Sequence, residues 1–359
     1  MAPTDTFQVL GLMSGTSGDG LDMAFARFGY DVKWSFSILN AATREFPTAL
    51  GQQLSKAHQL SGEQLCLLDR EFGTWMGLCV KEFCESNSIV PDAVSSHGHT
   101  VFHQPQLKLT TQIGCGWSLM ESCGFPVIND FRTRDVLLGG QGAPLAPIGD
   151  HYLFPEFEFC LNLGGISNIS MLDKGKRIAF DISPFNLLLN HFAAKKGLPY
   201  DKGGQLAKAG KINPSLLEKL NALPFYQQQK AKSLGREDVE AVFLPILEEE
   251  GDSIENTLAT LIDHYAFQIS KTCLNFCQKP MSRLLITGGG AYNNYFIEKL
   301  SRQLGNKVVP IVPDSKIVEF KEALIFAFLG VLKLRNEVNS LASVTGASKD
   351  SCGGTLYTP

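Results

Sequence analysis

Short apolar runs alternate with polar, glycine-rich turns at the start of the chain. The pattern predicts strands at Phe7–Met13 and Leu21–Phe25, with a third near Trp34–Leu39. The turn Ser14–Gly20, between the first two strands, contains three glycines, two serines, a threonine and an aspartate. Backbone N–H groups in a tight turn of this kind can face a bound anion, although ordinary turn chemistry also explains such a segment taken alone.

The following segment changes to helical spacing. Apolar residues recur every three or four positions at Leu65, Leu68, Phe72 and Met76, which predicts a helix over Gly62–Cys84. A helix over Pro47–Gln59 precedes it. Short strands are then predicted at Ala93–Ser96, Thr111–Ile113 and Val127–Asn129.

The same order of elements recurs in the second half. Three strands are predicted at Cys160–Leu163, Ile169–Leu172 and Arg177–Asp181, with the turn Gly164–Asn168 between the first two. Ser183 and Pro184 are typical of an N-cap and a first helical position, so a helix is predicted over Phe185–Lys196, ending at Gly197.

The rest of the second half continues the alternation. The remaining predicted elements are a long helix capped by Ser253 and ending at Phe276, a buried strand Arg283–Thr287 that runs into Gly288–Gly290, a strand Val308–Val312 and a helix Lys321–Leu334.

Two successive copies of strand-strand-strand-helix-strand-helix predict a duplicated α/β core. We expect one lobe over residues 1–150 and a second over residues 151–359, with the boundary near Pro147–Pro155 and the last helix available to pack back on the first lobe. Ligands of open α/β sheets bind outside strand ends, so a cleft between two lobes is the expected binding site.

Composition excludes several classes of function. The 359 residues are 44% apolar and carry a net charge of −4, so no global basic field favours nucleic acid or anionic lipid. No apolar run reaches membrane-spanning length, and we expect a soluble cytoplasmic protein without a membrane partner. The nine cysteines include no Cys-x-x-Cys pair, which favours buried free thiols over disulfides or structural zinc.

Three predicted strands end in glycine-rich turns, at Gly15–Gly20, Gly164–Asn168 and Gly288–Gly290. Together these turns resemble those around the nucleotide cleft of the actin/hexokinase/Hsp70-type phosphotransferases. That resemblance implies a duplicated RNase H-like core around a central cleft. Two hairpins would clamp the phosphates and the third turn would approach the adenosine.

Longer segments narrow the resemblance to the anhydro-N-acetylmuramic acid kinase family, over essentially the whole chain. The segments that carry it are Gly11–Asp22 (GLMSGTSGDGLD), Ser96–His103 (SHGHTVFH), Asp130–Asp135 (DFRTRD), Gly139–Leu145 (GGQGAPL), Leu161–Asn168 (LNLGGISN), Phe180–Asp181 and Thr345–Ala347 (TGA).

The resemblance implies an enzyme that uses ATP and Mg²⁺ to open the anhydro bridge of 1,6-anhydro-N-acetylmuramic acid with water and phosphorylate O6. The product would be N-acetylmuramic acid 6-phosphate, formed during cell-wall recycling. Expected ligands are therefore a small amino sugar and ATP, and a second copy of the chain is a candidate partner. A same-fold kinase for another sugar, an ATP-dependent switch like actin or Hsp70, and an inactive relative stay open as alternatives.

The resemblance also implies roles for individual residues. Asp181 matches the catalytic aspartate and is assigned as general base; helix capping is the alternative, although Ser183 already fills that position. The phosphates would be held by Gly15, Thr16, Ser17, Gly18, Asp19 and Gly20, and by Gly164 and Gly165. Asp19, and after it Asp22, would hold hydrated magnesium.

The sugar and adenosine sites follow from the same resemblance. Sugar-binding residues would be His97, Arg132, Gln141, Gly142 and Asn186; adenosine would lie on Gly288, Gly289 and Gly290, with Glu322 as a further purine or ribose contact. A guanidinium suits the lactyl carboxylate of muramic acid, but Arg132 and Arg134 could equally pair with Asp130 or Asp135. His97, His99 and His103 fit neutral hydrogen-bonding roles better than zinc.

The chain departs from the family pattern next to Asp181. Ile182, Ser183 and Phe185 stand where relatives have a threonine and glycines, and Cys115 replaces an aspartate. We expect these positions near the sugar pocket, which leaves the exact sugar open. The polar stretch Gln227–Lys232 is predicted to be a loop.

Overall fold

The computed structural model of the chain describes residues 5–14, 20–228 and 232–359. It divides into two compact units, Met1–Phe154 with Phe320–Pro359, and Pro155–Glu319. The predicted first boundary lies beside this division. Residues 320–359, however, belong to the first unit, whereas the predicted second lobe ran to residue 359.

The strands are β1 (Asp5–Ser14), β2 (Gly20–Tyr30), β3 (Trp34–Glu45), β4 (Ala93–Ser96), β5 (His99–Gln104), β6 (Leu109–Ile113), β7 (Val127–Asn129), β8 (Phe159–Leu163), β9 (Ile166–Asp173), β10 (Lys176–Pro184), β11 (Ser282–Thr287), β12 (Val308–Ile311) and β13 (Thr355–Tyr357).

The α-helices are α1 (Thr48–Ser55), α2 (Gly62–Asn87), α3 (Gly116–Cys123), α4 (Thr133–Leu137), α5 (Ala146–Leu153), α6 (Asn186–Ala194), α7 (Gln205–Ala209), α8 (Pro214–Asn221), α9 (Pro224–Gln227), α10 (Arg236–Asp238), α11 (Leu244–Glu249), α12 (Ile254–Phe276), α13 (Asn294–Leu304), α14 (Ser315–Leu334) and α15 (Ala342–Thr345). Short 3₁₀ segments occur at Ala57–Gln59, Pro105–Leu107, Lys202–Gly204 and Gly289–Tyr292, and Val239–Phe243 is a π-helix.

The first unit contains a six-stranded sheet in the order β13-β7-β4-β1-β2-β3. Strands β1, β2 and β3 form the predicted antiparallel meander, and β4 and β7 continue the sheet in parallel with β1. The predicted strand Thr111–Ile113 does not join this sheet. It belongs to β6, which pairs with β5 in a separate two-stranded sheet.

The second unit repeats this arrangement in a five-stranded sheet, β10-β9-β8-β11-β12. Its first three strands are an antiparallel meander, and β11 and β12 run parallel to β8. In both sheets the first five strands have the spatial order 3-2-1-4-5. The predicted α/β class with a duplicated RNase H-like core is therefore confirmed.

Local sequence signals explain the long helices. Helix α2 begins at a reciprocal capping box between Ser61 and Gln64, and its buried face includes Leu68, Phe72 and Met76 at the predicted spacing. Helix α12 begins after Ser253, whose side chain accepts from the Asn256 N–H, as predicted.

Each unit has its own apolar core. In the first unit, α14 lies so close to β1 that a Cβ on Gly11 would overlap the carbonyl oxygen of Ala323. This approach explains why residues 320–359 belong to the first unit. In the second unit, Phe185, Tyr265 and Phe296 are fully buried and in ring contact. No helix in the described part of the chain is long and apolar enough to cross a membrane.

Candidate functional site

The glycine-rich turn between β1 and β2 contains most of the predicted phosphate contacts. Gly15, Thr16, Ser17, Gly18 and Asp19 lie outside the described residues. Gly20 begins β2, and a Cβ there would lie 2.5 Å from the carbonyl oxygen of Arg44 on β3, so the strand pairing requires glycine. On the other side of the turn, Ser14 Oγ is 3.2 Å from His99 Nδ1.

Two carboxylates of the first unit influence each other near this hairpin. Asp22 follows Gly20 on β2 and accepts a hydrogen bond from Thr43 Oγ1 at 2.6 Å. Glu322, on α14, is open to solvent but lies among enough protein atoms that desolvation raises the pKa of its carboxyl. Asp22 raises this pKa further, and Lys321 and Arg132 oppose the shift. A divalent cation would relieve the repulsion between Asp22 and Glu322.

Geometry and electrostatics fix the tautomer of His97. Its Nδ1 lies 2.9 Å from the carbonyl oxygen of Gly98, which can only accept, so Nδ1 carries the proton. Its Nε2 then accepts from Arg132 Nε at 3.1 Å and Nη2 at 2.8 Å. Burial, with the neighbouring Arg132 charge, holds the pKa of His97 well below its usual range. The imidazole is therefore neutral, as predicted for this segment.

Arg132 joins His97 to the glycine loop at residues 139–142. Its Nη1 donates to the carbonyl oxygen of Gly142 at 3.2 Å, and burial lowers the pKa of the guanidinium to about 10, with Glu322 opposing. The alternatives in which the two arginines pair with Asp130 or Asp135 are not what the structure shows. Arg132 bonds His97, and Arg134 donates to the carbonyl oxygen of Cys352 at 2.7 Å.

Asp135 holds this loop, and sequence reasoning did not assign it that role. Its buried carboxylate accepts from the Gly142 N–H at 2.8 Å, from Ser340 Oγ at 2.7 Å and from Thr345 Oγ1 at 2.8 Å. The exposed Gln141 donates its backbone N–H to the carbonyl oxygen of Thr345 at 2.8 Å. From the sequence, Asp135 was named only as the end of the motif Asp130–Asp135 and as an alternative partner of Arg132 or Arg134.

In the second unit, the Gly164–Gly165 turn is joined to the start of α6. The carbonyl oxygen of Gly165 accepts from the N–H groups of Phe185 and Leu187, and that of Gly164 from the N–H of Asn186. The Asn186 side chain donates to the carbonyl oxygen of Leu163 at 3.0 Å. The hairpin and the helix that follows β10 are thereby fixed to each other.

Asp181 lies on β10 opposite Asn168, where the strand register shifts. It is half-buried, and its Oδ2 accepts from the Leu234 N–H at 2.9 Å and from Ser233 Oγ at 3.2 Å. Its own N–H donates to the carbonyl oxygen of Lys232 at 2.9 Å. Burial raises the pKa of the Asp181 carboxyl, and the two hydrogen bonds to Oδ2 oppose that rise. The site thus holds a carboxylate with increased basicity.

The predicted capping by Ser183 is wrong. Strand β10 continues through Pro184, helix α6 begins at Asn186, and Phe185 occupies the N-cap position. Ser183 Oγ instead lies 3.0 Å from Ser167 Oγ on the neighbouring strand. Asp181 does not cap the helix either, because its carboxylate binds residues 233–234.

Two of the departures from the family pattern are core residues. Ile182 and Phe185 are 1% and 0% exposed, and Phe185 packs against Phe296 and Tyr265. Both side chains fill the interior of the second unit, and their expected place near the sugar pocket stays a prediction. Cys115 precedes α3 and donates its backbone N–H to the carbonyl oxygen of Asp69.

The Gly288–Gly290 turn opens onto a cavity of the second unit. Gly288 has φ of +82°, and a Cβ there would lie 2.6 Å from Asn162 Oδ1. Gly289 and Gly290 line a cavity of about 510 Å³. Its other lining residues are Asn186, Leu189, Asn190, Tyr200, Asp201, Lys202, Gly203, Tyr292, Asn293 and Asn294. Backbone, aromatic rings and carboxamides together suit a flat heterocycle with polar edges.

Several of these residues were not predicted. Tyr200, Asp201, Lys202 and Gly203 were not assigned to any site from the sequence. Asp201 has a structural role, because its carboxylate accepts hydrogen bonds from the N–H groups of Leu206 and Ala207. Tyr292 donates to Glu319 Oε1 at 2.6 Å, and burial together with this carboxylate raises the pKa of the phenol to about 12. Asn186, assigned to the sugar, also lines this cavity.

A metal cluster of side chains is not found among the described residues, which contain no group of three or more His, Cys, Asp and Glu arranged to hold a metal ion. The three histidines at 97, 99 and 103 instead make hydrogen bonds, to Gly98, Ser14 and Thr110.

Comparison with known proteins gives one consistent family. The family model described as "AnmK: Anhydro-N-acetylmuramic acid kinase" matches residues 7–359. An anhydro-N-acetylmuramic acid kinase of Paramagnetospirillum magneticum is 34% identical over 359 residues, covering 98% of this chain and 99% of the relative. One from Pseudomonas fluorescens is 35% identical over 368 residues, covering 97% and 98%. Among solved structures, the activator of the 2-hydroxyisocaproyl-CoA dehydratase from Clostridium difficile with bound ADPNP is similar with a TM-score of 0.45 and 13% identity, covering 92% of this chain and 98% of that one.

Proposed function

The chain belongs to the anhydro-N-acetylmuramic acid kinase family, and we propose that it is an ATP-dependent kinase of 1,6-anhydro-N-acetylmuramic acid. The products are N-acetylmuramic acid 6-phosphate and ADP, as required for recycling of cell-wall sugar. The observation that carries this proposal is the family match over residues 7–359. ATP as phosphoryl donor assigns the reaction to the cytoplasm.

Asp181 acts as the general base in this proposal. Water attacks the anomeric carbon, the bond from that carbon to O6 breaks, and O6 takes the γ-phosphoryl group of ATP. The proton of the attacking water passes to the Asp181 carboxylate. Partial burial makes this carboxylate a stronger base than an exposed aspartate, and the contacts to Ser233 and Leu234 hold it in one place.

The adenosine of ATP occupies the 510 Å³ cavity beside Gly289 and Gly290. The open glycine backbone admits a close approach of the purine, and Tyr200 and Tyr292 offer aromatic faces for stacking. The phosphates are bound by the turn Gly15–Gly20 and by Gly164 and Gly165. Phosphoryl transfer depends mainly on positioning and charge neutralisation, which these turns supply through backbone N–H groups.

The donor set of the first unit fits Mg²⁺. This cation keeps several of its waters and takes one or two protein carboxylates besides the phosphates. Asp22 and Glu322, whose charges repel, would supply these two carboxylates, while Asp19 lies outside the described residues; when bound, the cation neutralises charge on the transferred phosphoryl group. Glu322 is reassigned here from the purine to the metal, because it is not among the described residues that line the cavity at Gly289.

The sugar is bound by the segment that joins His97, Arg132 and Gly142, with Gln141 exposed at its edge. Contacts with described residues use three of the five N–H groups of Arg132. Two donors are left for the lactyl carboxylate of a muramic acid, which a planar guanidinium binds well.

Mass analysis of reaction products tests the proposal against its alternatives. Purified protein is incubated with ATP, Mg²⁺ and either 1,6-anhydro-N-acetylmuramic acid, N-acetylmuramic acid, N-acetylglucosamine or 1,6-anhydro-N-acetylglucosamine. We expect a phosphorylated product from the anhydro-muramic acid at a rate well above the others. Preference for another sugar would identify a different kinase, and ADP formation that no sugar accelerates would identify an ATP-dependent switch.

A further inference from the structure

A second polar cavity lies on the second unit, on residues that the proposed reaction does not use. It has a volume of about 400 Å³ and is lined by β10, the C-terminal half of α12 and the end of α9. Lys232 and Lys271 both line it, together with the polar side chains of Gln268, Thr272 and Asn275. None of the described lining residues is acidic.

The two lysines place like charge in one cavity. Lys232 is half-buried over the Phe225 ring at 4.2 Å from its centroid, and its Nζ donates to the carbonyl oxygen of Phe225 at 3.2 Å. Neither Lys232 nor Lys271 forms an ion pair with a carboxylate of the described residues. Burial and the charge of Lys271 lower the pKa of Lys232, so the charged pair is under electrostatic strain that an anion would relieve.

The chemistry of the cavity favours a phosphoryl group. Ammonium groups act as compact point charges and bind phosphate, whereas planar carboxylate recognition is typical of arginine, and no arginine lines the described part of this cavity. A phosphate dianion balances both lysine charges. The volume exceeds that of phosphate alone, and the rings of Phe180 and Phe276 provide a surface for an attached organic group.

The residues that line this cavity are next to the residues that hold Asp181 in place. Phe180, the neighbour of Asp181 on β10, lines it. The carbonyl oxygen of Lys232 accepts from the Asp181 N–H, and the next two residues donate to the Asp181 carboxylate. An anion that fixes Lys232 therefore fixes the backbone that holds Asp181.

We propose that the Lys232–Lys271 cavity is a binding site for a small phosphate-bearing molecule, and that its occupancy orders residues 232–234 around Asp181. The catalytic consequence rests on the proposed role of Asp181, whereas binding itself does not. An anion that takes no part in the reaction would thus affect Asp181, the base that does.

Calorimetric titration of the full chain with inorganic phosphate, without sugar or nucleotide and at constant ionic strength, tests binding. Lys232→Gln and Lys271→Gln should each weaken binding about tenfold, as expected for loss of a charge-assisted hydrogen bond. Lys208→Gln, an exposed lysine of the same unit outside the cavity, should bind as the unmodified chain does. Acetate should bind more weakly than phosphate. Phosphate affinity unchanged in the Lys232→Gln/Lys271→Gln double variant would overturn the proposal.

Glucose 6-phosphate serves as a second probe to separate two sources of the phosphoryl group. If glucose 6-phosphate binds more tightly than inorganic phosphate, the ligand of the cavity is an organic phosphate whose organic group contacts Phe180 and Phe276. If the two probes bind equally, the ligand is the free phosphate ion. Loss of glucose 6-phosphate binding in the double variant is required in either case.

Hydrogen exchange of the backbone amides tests the coupling to Asp181. Phosphate should slow exchange at the N–H groups of Asp181 and Leu234 in the unmodified chain, and this protection should be lost in Lys271→Gln, which leaves residues 232–234 intact. Phosphate binding without that protection would overturn the coupling. Failure of the proposed kinase function would be seen separately, as absence of sugar turnover in a chain that still binds phosphate.

Discussion

The backbone N–H of Leu234 donates a hydrogen bond to Asp181 Oδ2 at 2.9 Å, across 53 residues of sequence. This contact and the Ser233 hydroxyl fix the carboxylate that we assign as general base. Asp181→Asn keeps the shape of the side chain but removes its ability to take a proton, so kcat should fall by about a factor of 10³. The dissociation constant of ATP should stay near that of the unmodified chain. Turnover that survives the substitution would exclude Asp181 as the base.

If Asp181 is the general base, we expect Ser233 to influence the pH dependence of the reaction. The base must be ionised, so the rate falls on the acid side as pH drops through the pKa of Asp181, which burial has already raised. The Ser233 hydrogen bond lowers that pKa, so Ser233→Ala should raise it and move the acid limb of the kcat/KM profile to higher pH. Ser215→Ala, at an exposed serine of α8, should leave the limb in place. A limb that moves to lower pH in Ser233→Ala contradicts this role.

Substitutions at Gly289 and Gly290 separate an effect on ATP binding from an effect on the stability of the fold. Among the described residues, a Cβ on Gly289 meets no atom closer than 3.9 Å, so Gly289→Val should fold normally but fill the cavity and raise the KM for ATP about tenfold or more, with little change in the KM for sugar. A Cβ on Gly290 would overlap the Phe185 ring, so Gly290→Ala should lower the free energy of unfolding by about 1–3 kcal/mol. Equal KM values for ATP in Gly289→Val and the unmodified chain would place adenosine elsewhere.

His264 makes the stability of the second unit depend on pH. It is fully buried between Asn221 and Tyr226, and desolvation lowers its pKa from 6.5 to about 3. Below pH 6.5 the unfolded chain binds a proton that the folded chain excludes. The free energy of unfolding should therefore decrease as pH falls from this value towards 3, by up to about 1.4 kcal/mol per pH unit.

The matched variants for this prediction are His264→Gln and His58→Gln, the second at an exposed histidine. Thermal unfolding between pH 7 and pH 5 should show a shallower loss of Tm for His264→Gln and an unchanged loss for His58→Gln. If Tm falls by the same amount between pH 7 and pH 5 in both variants and in the unmodified chain, His264 does not contribute to the pH dependence of stability.

Periodicity and turn chemistry predicted most of the fold because these signals are local. The two meanders, the Ser253 cap and the helix through Phe276 follow from apolar spacing and from a hydroxyl at the helix start. These signals left the last helix available to pack back on the first lobe, but they did not assign residues 320–359 to that unit. That assignment depends on the close approach of Gly11 and Ala323, which are more than 300 residues apart in sequence.

The candidate site likewise combines features that local sequence shows with contacts that form only in the folded chain. The glycine turns and Asp181 were proposed from the family resemblance, whereas the partners that orient Asp181 come from a polar segment with no motif. Asp135 was missed because its three partners, at 142, 340 and 345, converge only in the folded chain. Ser183-Pro184 carried a strong local helix signal, but pairing with β9 continues the strand through both residues.

Product analysis in H₂¹⁸O tests the central claim most directly. If water attacks the anomeric carbon while O6 receives the γ-phosphoryl group, the sugar phosphate formed from 1,6-anhydro-N-acetylmuramic acid and ATP carries one ¹⁸O at C1 and none in its phosphate. Mass spectrometry with fragmentation locates that label. Label found only in released inorganic phosphate, with the sugar unchanged, would mean that the protein hydrolyses ATP without acting as this kinase.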